Sequence, residues 1–264
     1  MIINPFFYLH FPISATLLVL VFMYWKLLSG KLIENPWLHR ALFMCVFVQG
    51  LILLAPLIST QIPFMGGPTE LILTCSWIVL LGQAVSQSIA KTKNLAFFTL
   101  VPVVLAQFLA LGWGYNQWTL ASVEQDFFLT HLLMSCSAWS AFSISIILGI
   151  MYIILERKLK LKQFDKTFKE LPSLDKIETL AFFWLTLGTS LSFLSLIFGF
   201  LWWARIHSLT QLNSLFLVSY LPYLFFLGLF ILKSIQRIRG INFIRTMMVI
   251  YAIVLSTHLI NLHG

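Results

Sequence analysis

The chain is predicted to be all-α: a polytopic membrane bundle of about eight transmembrane helices with both termini on the outer, periplasmic side. Three observations carry this. First, 59% of the residues are hydrophobic and only 10% are charged, whereas a soluble globular chain carries about a quarter charged residues. Second, the apolar residues run in continuous segments near 20 residues long. As a helix such a segment rises about 30 Å, the thickness of a bilayer core. Third, with these segments counted as spans, sixteen of the seventeen Lys and Arg fall on one side. A membrane barrel would instead show ten-residue alternating segments.

The spans run approximately Phe7–Leu28, Ala41–Gln61, Thr69–Ile89, Leu95–Trp113, Phe127–Leu155, Leu180–Trp203, Leu212–Lys233 and Ile241–Leu262. The fifth is long enough to tilt or to project beyond the bilayer. Lys26, Lys31 and Arg40 follow the first span, and Lys91 and Lys93 follow the third. Arg157, Lys158, Lys160, Lys162, Lys166, Lys169 and Lys176 follow the fifth, and Lys233, Arg237, Arg239 and Arg245 the seventh. Only Arg205 falls in an even connection. The positive-inside rule places the odd loops in the cytoplasm. No Lys or Arg precedes Lys26, so the first apolar run reads as a retained N-out anchor and not as a cleaved signal.

The formal charge of +8 therefore points to the inner leaflet, whose anionic lipids attract basic residues, and not to nucleic acid. The lipid bilayer is the first partner. The strongest basic cluster, Arg157 to Lys176, also holds Glu156, Asp165, Glu170 and Asp175. It reads as a solvated loop with a short helix; a docking site for a cytoplasmic partner is the sharper alternative. Cys45, Cys75 and Cys136 sit singly inside spans, as small buried side chains do. With no CxxC or CxxCH, neither thiol exchange of that type nor c-type haem attachment to this chain is expected.

Gly188, Ser192, Ser195 and Gly199 in span six are spaced 4, 3 and 4 and share one helix face. Small residues let another helix approach, so this face reads as a packing seam. Pro56, Pro102 and Pro222 fall within spans, where each removes a backbone donor. Trp113, Tyr115, Trp118, Trp202 and Trp203 cluster at outer ends as an interfacial belt.

Histidine is the informative residue for chemistry. His10, His131, His207, His258 and His263 lie at or near the outer surface, and only His39 lies near the cytoplasmic face. His131 opens span five, with Ser135, Ala138 and Phe142 following on its face; His258 lies about one turn inside the outer end of span eight. Both can face the bundle interior at similar depth. Neutral imidazole is a common ligand for haem iron. No HExxH, carboxylate pair within a span or glycine-rich phosphate loop occurs, so no enzyme activity is expected. A proton-coupled transporter would want an intramembrane acid, and none is evident.

Leu171-Pro172-Ser173-Leu174, followed by Glu178, Leu180, Phe182, Gly188 and Gly199, resembles the sixth-helix entry of the HemX-like branch of the cytochrome c assembly family of haem-handling membrane proteins. The segment from His131 through Trp139 to Glu156-Arg157 is similar to that family's His-led helix ending in a basic cytoplasmic loop. His39, and Gly66-Gly67 through Trp77, are similar to the same branch. The resemblance implies a single cytochrome c assembly-like transmembrane domain over residues 1–264 and a multi-pass protein of the bacterial inner membrane. It also implies a haem cofactor on the outer side and cytochrome c assembly proteins as partners. It carries axial ligation onto His131 as a metal ligand. His258 is the candidate for the opposite ligand, and His207 a further cofactor-binding candidate. The family's WWD core is absent, since Ala204 follows Trp202-Trp203, and the position that usually holds a His at span seven is Gln211, four residues after His207.

Two function classes compete. One is a haem-binding, haem-handling protein assisting c-type cytochrome biogenesis. The other is a haem-free membrane regulator or scaffold, in a tetrapyrrole pathway or beside an assembly partner, acting through its basic cytoplasmic loop. A small-solute permease is a third reading, but no paired inverted repeat with broken helices is apparent. Colour in the purified protein separates the first two.

Overall fold

The computed structural model describes residues 5–29, 36–58, 67–90, 96–113, 125–163, 171–206 and 214–261. Among them are eight α-helices: α1 (His10–Leu28), α2 (Pro36–Ile58), α3 (Pro68–Ala90), α4 (Ala96–Trp113), α5 (Gln125–Lys160), α6 (Leu174–Ile206), α7 (Ser214–Ser234) and α8 (Gly240–Asn261). A short 3-10 turn, Pro5–Leu9, leads into α1. The protein is an all-helical, multi-pass membrane bundle. Five helices, α1, α2, α3, α5 and α6, contain stretches long and apolar enough to cross a bilayer. The other three, α4, α7 and α8, are apolar helices of 18, 21 and 22 residues. Large apolar side chains such as Phe47, Leu105, Leu109, Leu224 and Val249 face outward, as lipid contact requires.

Helix ends depart from the hydropathy boundaries for identifiable reasons. α2 and α3 start at Pro36 and Pro68, the first-turn position where proline's missing N–H costs nothing. His39 and Arg40 therefore belong to α2, whose predicted span begins at Ala41. α5 continues to Lys160 and α6 begins at Leu174, both beyond their apolar runs. Glu, Lys and Arg are good helix formers, so charge ends the membrane stretch without ending the helix. What ends α5 is a left-handed residue, Lys162, with φ 54°. The Gln163 N–H donates to Lys158 O and the Lys162 N–H to Leu159 O, the paired bonds of a Schellman cap. α7 closes the same way, with Gln236 at φ 56° and bonds from Arg237 to Leu232 and from Gln236 to Lys233. Residues 164–170 of the basic loop, which was expected to hold a short helix, lie outside the described residues.

The helices fall into two compact units. The first comprises residues 1–121 and 158–172. In it α1 packs against α2 and α4, and α3 against α2 and α4, closing a ring. Each helix buries one stripe: His10, Ser14, Leu17 and Tyr24 on α1; Leu42, Val46, Gln49 and Leu53 on α2; Leu73, Leu80, Gln83 and Gln87 on α3; Leu100, Val103, Gln107 and Leu111 on α4. The 3- and 4-residue spacings keep these positions on one helix face. Trp77 of α3 donates from its indole N–H to Val46 O of α2 at 2.8 Å. Its ring lies close against Gly50, where a Cβ would come within 2.9 Å of it.

The second unit comprises residues 122–157 and 173–264. Phe142 of α5 stacks on Phe226 of α7 with ring centres 3.8 Å apart. Ser145 of α5 donates to Ala181 O of α6 at 2.7 Å, and Ser143 of α5 meets Tyr251 Oη of α8 at 3.0 Å. The small-residue face of α6 is a packing seam, and what it receives is side chains: Phe142 fills the space over Gly188 and His131 the space over Gly199. The helices run unbroken through Pro56, Pro102 and Pro222.

Candidate functional site

His131 projects from the outer end of α5, half-buried, against α6. Its Nδ1 lies 2.7 Å from Ser195 O. A carbonyl oxygen only accepts, so Nδ1 carries the proton and donates. The remaining nitrogen, Nε2, then keeps its lone pair. A ring held through Nδ1–H is the arrangement in which imidazole presents Nε2 to a metal. Ser195 Oγ reinforces the clamp at 3.0 Å from Nδ1 and reaches His131 O at 3.3 Å. Ser135 Oγ, one turn below on α5, lies 2.6 Å from Ser195 Oγ. The clamp forms because Gly199 has no side chain: a Cβ there would stand 2.7 Å from His131 Nδ1.

His131 opens onto a cavity of about 180 Å³ lined by Ser135, Ala138, Trp139 and Phe142 of α5, Ser192, Ser195 and Leu196 of α6, and Tyr223 and Phe226 of α7. The predicted face His131, Ser135, Ala138, Phe142 is thus brought together along one wall. The opposite wall is the small-residue face of α6, which serves the cavity as well as the packing. Ser192, Ser195 and Tyr223 were not expected at a site. The α6 spacing shows that its residues share a face but not which ring they meet.

The other sequence candidates fall differently. His207 lies outside the described residues, as does the side chain of His258. The backbone of His258 lies on α8 seven residues beyond Tyr251, and His131 lies twelve residues before Ser143. From the Ser143–Tyr251 contact these are rises of about 10 Å and about 18 Å along their helices. His10 is buried in the first unit, on the stripe it shares with Ser14 and Leu17. His39 Nδ1 is bonded to Tyr24 Oη at 3.0 Å. No cluster of three or more metal-ligating side chains occurs among the described residues.

For a haem, the donor fits and the enclosure is partial. His131 offers one imidazole nitrogen with its tautomer fixed. A cavity of about 180 Å³ is below the several hundred Å³ that enclose even a drug-sized ligand. The described residues therefore offer one imidazole nitrogen beside a small cavity and not a closed chamber around a macrocycle.

No family model matches the chain. It is similar to two proteins named Protein HemX. With that of Brevibacillus brevis it shares 31% identity over 80 residues, 30% of this chain and 29% of the relative. With that of Bacillus subtilis (strain 168) it shares 22% identity over 184 residues, 65% of this chain and 64% of the relative. The chain thus spans less than two thirds of the length of either relative. Its weak sequence likeness to HemX proteins joins the multi-pass helical fold as what is established of its kinship.

Proposed function

We propose that this protein is a haem-handling component of the bacterial inner membrane, assisting c-type cytochrome assembly, with His131 as an axial ligand on the outer side. The observation that carries the reading is the His131–Ser195 clamp. It fixes the ring, places the proton on Nδ1 and leaves Nε2 as a lone-pair donor beside a cavity. The likeness to the two HemX proteins supports a place in haem or tetrapyrrole metabolism, and the one-sided distribution of Lys and Arg supports the orientation.

This chain's residues would hold the group and orient it. Bound haem would supply an iron centre with axial coordination. Ser195 and Ser135 would keep His131 in one tautomer. Trp139, Phe142 and Phe226 would keep the inner side of the ring dry. Nothing in this scheme requires a bond-breaking step by the protein, so it acts as a handling factor and not as an enzyme. Cytochrome c assembly proteins would be its partners.

The small cavity favours a second reading, a haem-free regulator or scaffold working through the basic end of α5 and the loop after it. Purification from haem-replete cells separates the two. A Soret band that is lost in His131→Ala is the outcome expected of the first. Colourless protein that still folds would overturn it in favour of the second.

A further inference from the structure

The interior of the first unit carries polar side chains that its four helices leave without partners. Gln49 of α2 is fully buried, and both its amide nitrogen and its carbonyl oxygen lack a hydrogen-bond partner among the described residues. Gln83 Nε2 of α3 and Gln107 Nε2 of α4 are buried and unpartnered as well. Gln107 uses its oxygen to accept from Ser14 Oγ at 2.8 Å. His10 Nδ1 of α1 is also buried without a partner.

These groups all lie on the faces that the four helices bury. Gln49 lies on the buried stripe of α2, while Phe47 and Leu51 beside it are exposed. Gln83 lies between exposed Leu81 and Val85, and Gln107 between exposed Leu105 and Leu109. Because the helices close a ring, the buried stripes face inward together. Measured from the outer helix ends, Gln107 lies at a depth of about 9 Å, Gln49 at about 14 Å and Gln83 at about 22 Å. Toward the cytoplasmic end the row continues into Gln87 and the Tyr24–His39 pair. Steps of this size are those one or two water molecules span.

An amide buried in a membrane protein without a partner is strongly disfavoured, and each glutamine side chain offers donors and an acceptor together. The guest that satisfies several such groups at different depths is small, neutral, and both donor and acceptor. An ion is disfavoured because, among the described residues, the only buried acid in the unit is Glu70 in the first turn of α3. We propose that the core of the first unit is a hydrated site. Bound water molecules bridge Gln107, Gln49 and Gln83, making a polar row about 13 Å long in the core of the unit. Buried water in such positions is part of a structure and makes two to four hydrogen bonds. The inference is independent of the haem reading, since it concerns residues of a different unit.

Water-edited solid-state NMR of glutamine-labelled protein in lipid bilayers tests it. Polarisation should pass from water to the side-chain amides of Gln49, Gln83 and Gln107, with exposed Gln163 and Gln236 as wet references. Gln49→Met, which keeps the length and removes the hydrogen bonds, assigns the Gln49 signal and should weaken transfer to Gln83 and Gln107. A Gln49 amide that stays dark in the native protein while Gln163 is bright would overturn the proposal. So would a Gln49→Met variant that is more thermostable than the native protein and leaves the other two signals unchanged.

Discussion

Glu178 of α6 and Lys233 of α7 form an ion pair, and the carboxylate oxygen that takes the ammonium also accepts the Gly240 N–H of α8 at 3.0 Å. One oxygen therefore ties three helices together at the end where the positive charges collect. Lys233 Nζ also sits 4.9 Å from the centre of the Phe243 ring. Gly240 adopts φ 56°, a left-handed conformation that glycine reaches without strain and that turns its N–H toward the carboxylate. Both charged side chains are mostly shielded, with relative exposures of 14% and 15%.

The Glu178 tie predicts an asymmetric mutational response. Glu178→Ala leaves a shielded ammonium and a backbone N–H unpaired, and should cost on the order of 3 kcal/mol. The double variant Glu178→Leu, Lys233→Met removes both charges and should recover much of that loss. Thermal unfolding in detergent checks this; equal destabilisation of single and double variants would show the pair to be unimportant.

The glycine seam gives a second prediction. At Gly188 an added Cβ would stand 2.7 Å from the Phe142 ring, and that ring cannot retreat because it stacks on Phe226. Gly188→Ala should therefore destabilise by about 1–3 kcal/mol. Gly228, on α7, has open space where its Cβ would go. Gly228→Ala should be neutral or stabilise by up to about 1 kcal/mol. Melting temperatures that move together in the two variants would contradict the seam.

Much of the fold was legible because a bilayer leaves so few options. Apolar length and the Lys/Arg pattern suffice for the eight helices, and the α6 spacing 188, 192, 195, 199 marks the seam. Side-chain partners were less legible. His131 could be singled out by type and position, yet its clamp depends on Ser195 of another helix, which local spacing cannot pair with it. Glu178 stands out in the sequence only through the family resemblance; its bonds to Lys233 and Gly240 need the tertiary fold. The glutamines are only partly legible. Their signal was there, since Gln49, Gln83 and Gln107 each interrupt an apolar run, but only burial shows that they face inward.

Orientation has its own prediction. Gln163 follows α5 and is exposed, and Arg205 near the end of α6 is exposed; the charge pattern puts them on opposite sides. In a background with Cys45, Cys75 and Cys136 replaced by Ser, Gln163→Cys should react with an impermeant maleimide only after the membrane is opened. Arg205→Cys should react in intact cells. Labelling of position 163 from outside would reverse the topology.

The final prediction concerns the imidazole itself and rests on the haem reading. If Nε2 of His131 is an axial ligand, His131→Ala should abolish the low-spin spectrum, because alanine cannot coordinate iron. Gly199→Ala tests the same ligand without removing it. Its Cβ would press on the ring edge at Nδ1 and tilt Nε2, so the Soret band should shift or the spin state become mixed while the chain still folds. Ser195→Ala removes the hydroxyl but keeps the carbonyl that receives the Nδ1 proton, so its spectrum should stay close to that of the native protein. His258→Ala and His207→Ala then compete for the opposite position. The variant that loses the true second ligand should become high-spin, because the iron keeps one imidazole and gains water or an empty site, and the other should be silent. A native spectrum in His131→Ala would remove the ligand assignment and leave the helical fold and the Ser195 clamp in place.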